Sequence, residues 1–498
     1  MDLSVSAYES KSDDYFFEHT DGPASDGKDF TTTNNVENTS ELKLFNTSLI
    51  VEHEFANGYT LTSTTAYLDD EMDFTADIEA TPNPVVDITS HIAAEYYSQE
   101  LRLASPADRD YDFVAGLYYD DEESETPDVI FAGAGFPFPP IQNSSINRGG
   151  NTFDRTSWAA FIHANFDLNE KTTLFGGLRY TDEVKEQQTH PSTCVNFFTC
   201  IILGNPALTT TTDAPVDVEL QEWTWTAGMR YQLNQDVMIY GSIGTGTKSG
   251  AMNSTANPAA DFAANNLVTD HEEVTSYELG IKSSWLDSKL NVNFALFSMD
   301  YDDLQVRLGC ETCGPGGIPQ RFLSNAGTAT SEGFELDMIA YPTESLRFTL
   351  GVGYVDSTYD KLEGVEDPRR GGGFFDASGN TIALAADWTI NASVQHTAYL
   401  RGGELTSRLD LNFIDERYSD GSFHNNSNDL LPSQTLLNGR LSYRPAEDNW
   451  GVSLWVRNLT DDDSETYVAF GAAFLPFGTN RAQYQEPRTY GVTLNLSF

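Results

Sequence analysis

The sequence predicts an all-β fold: a transmembrane antiparallel β-barrel with short periplasmic turns and long extracellular loops. Three observations carry this expectation. Apolar and polar residues alternate with period two along much of the chain, instead of at the 3.6 spacing of a helix. Short and long connections then follow one another between the strands, of which about eighteen can be counted. Finally, 28 basic against 75 acidic residues give a formal charge of −47, while the hydrophobic share is only 39% and the aromatic share 12%. That composition suits a protein whose polar face lines water and whose aromatic residues sit at membrane interfaces.

In chain order, the first clear strand sets Trp158, Ala160, Ile162, Ala164, Phe166 and Leu168 against Ala159, Phe161, His163, Asn165 and Asp167. A second sets Trp223, Trp225, Ala227, Met229 and Tyr231 against Thr224, Thr226, Gly228 and Arg230. A third has Leu346, Phe348, Leu350, Val352 and Tyr354 facing away from Arg347, Thr349, Gly351 and Gly353. The C-terminus closes with Tyr490, Val492, Leu494, Leu496 and Phe498 alternating with Gly491, Thr493, Asn495 and Ser497. Short turns are expected at 56–58, 106–110, 169–171, 234–236, 287–289, 342–344, 401–403 and 445–449. Long polar connections are expected at 69–95, 120–155, 183–221, 245–275, 302–330, 356–387, 415–434 and 460–487. A soluble β-sandwich or propeller has no reason to lengthen every second loop, whereas a barrel inserted from one side of a membrane does. In hydrocarbon every backbone amide needs a partner, so a sheet spans only by closing on itself. Aromatic residues near strand ends (Tyr118, Tyr119, Trp158, Trp223, Trp388 and Trp450) fit interfacial girdles.

Several classes are excluded. No run of about 18 apolar residues offers a membrane helix. Nucleic acid, a polyanion, would be repelled by this charge. Regular alternation of Tyr, Phe, Val, Ile and Thr is foreign to disordered chains. The cysteines form two close pairs, Cys194 with Cys200 and Cys310 with Cys313, set among Gly, Pro, Thr and Asn. Cys310-Glu-Thr-Cys313 has the spacing of a redox motif or half a zinc site, but no strand–helix context or second metal-binding pair accompanies it. Loop disulfides in an oxidising compartment are the expected reading. Met1-Asp2-Leu3-Ser4 has neither a basic segment nor an apolar core. An exported protein carries such a signal, so further sequence is expected ahead of it.

Groups capable of chemistry are sparse. Residues 244–250, Gly-Thr-Gly-Thr-Lys-Ser-Gly, lack the Gly-Lys-Ser/Thr order and the following helix that a phosphate loop needs. The eight histidines show no HxH or HExxH spacing, and no G-x-S-x-G elbow supports a hydrolase. Acidic clusters at Asp69-Asp70-Glu71, 120–123, Asp302-Asp303 and 461–463 have hard oxygen donors suited to calcium. None has an Asp-x-Asp-x-Asp-Gly loop, so they are read as a solvated rim, with divalent ions linking it to lipopolysaccharide. No cofactor and no catalytic residue is assigned. The inward positions carry both charges: Glu100, Arg102, Arg179, Arg230, Glu278 and Lys282, then Glu335, Asp337, Arg347, Arg408, Asp410, Arg440 and Arg457. On a lipid-facing surface each would be costly, whereas in a lumen they stay hydrated.

Ordered blocks along the chain also resemble a known family. Ser98-Gln99-Glu100-Leu101-Arg102-Leu103-Ala104-Ser105-Pro106 is followed by Phe113-Val114-Ala115-Gly116-Leu117-Tyr118-Tyr119. Gly177-Leu178-Arg179-Tyr180-Thr181 comes next, and then residues 240–250. Ser276-Tyr277-Glu278-Leu279-Gly280-Ile281-Lys282 continues through 293–301. Asn325-Ala326-Gly327 leads to Gly333-Phe334-Glu335-Leu336-Asp337, and Val456-Arg457-Asn458-Leu459 precedes the final aromatic strand. In this order they resemble the barrel of a TonB-dependent outer-membrane receptor over nearly the whole chain. The resemblance implies roughly twenty-two strands, of which about eighteen are visible, and a signal peptide, TonB-binding segment and plug that this sequence does not display. It implies a monomer among outer-membrane lipid and lipopolysaccharide in a Gram-negative cell. The implied work is TonB-energised uptake of a scarce small nutrient such as an iron–siderophore complex, with no enzyme activity, and several inward charges meeting the plug. A passive pore and an outer-membrane hydrolase are the rival expectations.

Overall fold

In the computed structural model the described residues are 1–13, 36–77, 86–107, 109–126, 151–189, 216–253, 268–310, 320–367, 373–400, 402–419, 423–447, 449–470 and 480–497, with short strand pieces at 18–19, 128–132, 144–148 and 193–194. One antiparallel sheet dominates, and eighteen of its strands are long. They are β1 (Asp2–Asp13), β2 (Thr39–Glu54), β3 (Thr60–Asp77), β4 (Val86–Ala104), β5 (Tyr111–Glu125) and β6 (Asn151–Asn169). Next come β7 (Thr172–Thr189), β8 (Val216–Asn234), β9 (Val237–Lys248), β10 (Glu272–Trp285), β11 (Leu290–Cys310) and β12 (Gln320–Thr343). The last are β13 (Leu346–Leu362), β14 (Trp388–Leu400), β15 (Gly403–Ile414), β16 (Gln434–Pro445), β17 (Trp450–Arg457) and β18 (Thr489–Leu496). Each pairs with the next in sequence, the up-and-down order that short hairpins impose. The only helix among the described residues is a 3₁₀ turn, Ser427–Asp429.

Register sorts the side chains into two faces. Ala115, Ile162, Leu178 and Trp225 are directly opposite one another across β5 to β8. One residue along, Gly116, Phe161, Arg179 and Thr224 form the alternate row. Ile162, Leu178 and Trp225 keep 45%, 44% and 41% of their surface exposed, although they lie mid-strand in the sheet. Water would not tolerate such an apolar belt, while acyl chains cover it at no cost. Trp158, Tyr180 and Trp223 continue this face as a ladder of rings 5.4 and 4.9 Å apart, and Tyr443 with Trp450 marks the periplasmic end. Tyr118 departs from its expected place in that girdle. Its residue faces the same way as Gly116 and Asp120, and its hydroxyl shares a 2.6 Å hydrogen bond with that of Tyr96 inside the bore.

Each expected turn joins the two strands on either side of it, residues 108, 401 and 448 lying outside the described residues, and several of the expected long loops begin and end as ribbon. β3 and β4 stay paired from Thr60↔Ala104 to Asp77↔Asp87, through much of 69–95. β12 runs for 24 residues, far beyond the ten or so that cross a bilayer. Once a hairpin has crossed, continuing its ladder satisfies every backbone amide without needing an apolar face. These extensions also hold the dry packing. Val306, Ala329, Tyr359, Leu362, Val365 and Ala377 form one buried cluster, and Leu431, Val468 and Ala482 another. A one-layer wall has little interior of its own, so the largest fully enclosed apolar side chains among the described residues, Leu362, Leu431 and Val365, lie where extensions fold over one another.

The sheet has two free margins. Among the described residues β1 pairs only with β2, and β18 only with β17. Asp2 lies opposite Ile50, near the periplasmic end of β2, so β1 rises while β18 descends. Their outer residues are more open than most of the belt: Leu3 60%, Tyr490 82% and Val492 67%.

Candidate functional site

The inner wall repeats one local device. Gly116, Gly228, Gly280 and Gly491 lie directly across the ladder from Phe161, Phe175, Tyr240 and Trp455. A Cβ at any of the four would collide with the opposing ring, so only glycine lets these rings lie flat on the neighbouring strand. A cation then rests on each ring. The Arg179 guanidinium lies 5.8 Å from Phe161 and 5.7 Å from Tyr118, and Arg230 lies 5.0 Å from Phe175. Lys282 lies 5.6 Å from Tyr240, and Arg457 5.3 Å from Trp455. Each contact is worth about 0.5–1 kcal/mol while leaving the charge free to meet a partner in the bore. The cations were legible in the sequence and the rings beneath them were not. Gly-x-Arg/Lys at 177–179, 228–230 and 280–282 was the available signal.

The remaining inward candidates divide by partner. Arg102 approaches Glu100 at 3.6 Å, and Arg408 grips Asp410 at 2.6 and 2.8 Å. Arg440 lies opposite Arg408 and donates instead to Ser442 (3.1 Å) and Ser453 (3.0 Å). The Tyr240 hydroxyl donates to Glu278, and the Arg230 guanidinium to Asn165. Glu335 and Asp337 share the inner face of β12, opposite Gly353 and Gly351. Arg347 stands 6.0 Å from the Tyr341 ring. Among the described residues no carboxylate lies within ion-pair distance of Arg179, Arg230, Lys282, Arg347, Arg440 or Arg457. Cys194 ends a two-residue strand and Cys310 ends β11, in place of the expected loops, while Cys200 and Cys313 lie outside the described residues.

Higher in the bore the pattern changes to a closed ion-pair network. Arg155 reaches Asp120 at 2.8 Å, Glu122 at 3.1 Å and Glu183 at 3.5 Å. Lys185 meets Glu183 at 3.3 Å, and also donates to the Ser249 hydroxyl and the Gly250 carbonyl (3.2 Å). The network therefore ties β5, β6 and β7 to the segment that leaves β9. Asp120, expected as part of a solvated rim, is instead buried in this wall. The glycine-rich stretch 244–250 is the extended end of β9 and its exit, and the described residues that follow directly, 251–253, are not helical.

The family model described as "TonB dependent receptor-like, beta-barrel" matches residues 2–459. The chain belongs to this family. It is 26% identical over 405 residues to the pesticin receptor of Yersinia pestis, covering 80% of this chain and 51% of that protein. It spans about half the length of that relative. Its fold is shared with the ferric yersiniabactin uptake receptor FyuA from Y. pestis (TM-score 0.70, 18% identity, 93% of this chain and 62% of that one). The siderophore receptor PiuA from Acinetobacter baumannii is similar too (TM-score 0.72, 17% identity, 99% and 71%). A TonB-dependent receptor barrel belongs in the outer membrane of a Gram-negative cell, and the family comprises receptors and transporters, not enzymes.

Two of the receptor barrel's extracellular acids, Asp461 and Asp462, serve as structural ties. Asp462 accepts the Thr435 amide at 2.7 Å and the Ser464 amide at 3.0 Å, and Asp461 holds Arg488 at 3.0 Å. Burial pushes the Asp462 carboxyl up, but the Ser464 and Thr435 donors outweigh it and hold it below the usual carboxylate range. A carboxylate depressed on folding stabilises the fold above its unfolded pKa, and that contribution fades as pH falls through the folded value. Asp462→Ala should therefore loosen this loop by about 1–2 kcal/mol at neutral pH, with the difference vanishing in acid. Amide exchange at Thr435 and Ser464, followed against pH, is the measurement; a difference that does not shrink as pH falls below the ordinary carboxylate range would refute it. Asp356, Asp387 and Asp415, scattered in sequence, also converge. Burial and the other two carboxylates push Asp387 up.

Proposed function

We propose that residues 1–498 are the barrel of a TonB-energised importer for a scarce nutrient of the iron–siderophore class, with a plug seated against the inner-wall cations. The observation that carries this reading is the set Arg179, Arg230, Lys282, Arg347, Arg440 and Arg457, which lack carboxylate partners among the described residues although the chain has 75 acidic residues. Charges left open on a wall suit carboxylates and carbonyls presented from within the bore. The names of the relatives, a pesticin receptor, a ferric yersiniabactin uptake receptor and a siderophore receptor, support the nutrient class. The partners are outer-membrane lipid and lipopolysaccharide, the TonB system acting through the plug, and a small nutrient, and the protein works as a monomer. The free margins of β1 and β18 support one further element. Because those strands run antiparallel, an even number of additional strands fills the gap between them.

Uptake of labelled ferric siderophore by cells with and without TonB tests the proposal. TonB-dependent uptake is expected. Equal uptake in both strains, with a large permanent conductance in planar bilayers, would establish a passive pore instead. Reversing Arg179 and Arg347 to glutamate should weaken plug binding about tenfold or more at low salt, and unchanged binding would remove the docking role.

A further inference from the structure

At the extracellular end of the sheet β8 and β9 separate. Their ladder stops at Thr226↔Gly244, and above it the Trp225 amide donates to the Thr245 hydroxyl at 3.2 Å instead of to backbone. β9 continues beside β10 alone, up to Lys248↔Glu272. Three side chains converge over this split: Glu222 from β8, His271 from the residue just before β10, and Glu273 from its start. The His271 Nε2 atom lies 3.4 Å from a Glu222 oxygen and 3.1 Å from a Glu273 oxygen, and all three donor atoms lie within 4.8 Å of one another. Among the described residues no lysine or arginine comes within ion-pair distance of Glu222 or Glu273. One imidazole nitrogen carries at most one hydrogen, so it satisfies one of two carboxylates well and leaves the other without a counter-charge.

We infer that Glu222, His271 and Glu273 bind a divalent transition-metal ion of the zinc type, which clamps β8 to β10 across the upper end of β9. One nitrogen and two carboxylate oxygens form a donor set that zinc accepts, leaving a fourth position to water. Bonds of about 2.0–2.1 Å in a tetrahedron hold donors roughly 3.3 Å apart, the spacing that both histidine–glutamate contacts already show. The ion removes the surplus negative charge and replaces, from the side chains, the tie that the broken ladder no longer provides. His271 and Glu222 are each about one-third exposed, so the site opens to the extracellular solvent.

The test is zinc binding to the purified chain in detergent at 0.15 M NaCl, which screens diffuse attraction to the acidic surface. Cobalt(II) absorption reports the coordination. The parent should bind one ion and gain thermal stability on binding. His271→Ala and Glu222→Gln should each weaken binding by about tenfold or more and abolish the thermal shift. Glu404→Gln, which removes the same charge at the periplasmic end, should change neither. Failure of the parent to bind would overturn the inference. So would affinities within twofold of the parent in both site variants, since zinc would then be spread over the acidic surface.

Discussion

An arginine at Leu178 should cost the barrel about 2–4 kcal/mol and leave much of the chain unable to insert. Leu178 lies mid-strand in β7, between Ile162 and Trp225, on the face where those residues keep more than two-fifths of their surface open. A guanidinium there would meet acyl chains, with the nearest carboxylate on its face of β7, Asp182, four residues up the strand and a long reach to either headgroup layer. The same substitution at Ser242 is the control. Ser242 lies opposite Gly228 on one side and Glu278 on the other, so an added cation gains a carboxylate neighbour in water. Its cost should stay below about 1 kcal/mol. Urea titration of folding into phospholipid vesicles measures both. Equal costs at the two positions would mean that the assignment of faces is wrong.

Arg155→Met should destabilise the upper wall by about 3 kcal/mol. The estimate sits at the low end for a broken buried pair because the Arg155 side chain is 24% exposed. Asp120 and Glu183, with side chains only 4% and 10% exposed, would lose the cation that holds them side by side. The repulsion left behind should also release the Ser249–Gly250 segment, which Lys185 anchors directly while paired to Glu183. Adding Asp120→Asn and Glu183→Gln to the methionine variant should recover most of the loss, because the stranded charges disappear with their partner. Unfolding in micelles reads the stability, and protease cleavage after Ser249 reads the anchor. If the triple variant were no better than Arg155→Met, packing and not charge would be the source of the loss.

How far the sequence could be read depended on distance along the chain. Leu346, Phe348, Leu350 and Val352 declared their common face, because in an extended strand residues two apart point the same way whatever lies beside them. The turns were equally plain, since each is closed by its own few residues. The stretches of ribbon within the long connections were hidden for a related reason. Polar alternation above the membrane, as in β3 and β4, has no apolar face to mark it as strand. Tyr118 was placed outside for the same want of context, since neighbouring tyrosines at 118 and 119 necessarily point opposite ways.

By itself the sequence determined the all-β character, the two faces, the turn positions and the signs of the charges in the bore. All of these follow from period two and composition. The tertiary structure alone decided which residues meet across strands: Phe161 on Gly116 beneath Arg179, Arg155 among three carboxylates, and His271 between Glu222 and Glu273. Those partners lie up to tens of residues apart, and a slip of one position in any ladder would send every side chain to the opposite face. Register is therefore a property of the assembled sheet, set by many hydrogen bonds at once, and no single strand carries it.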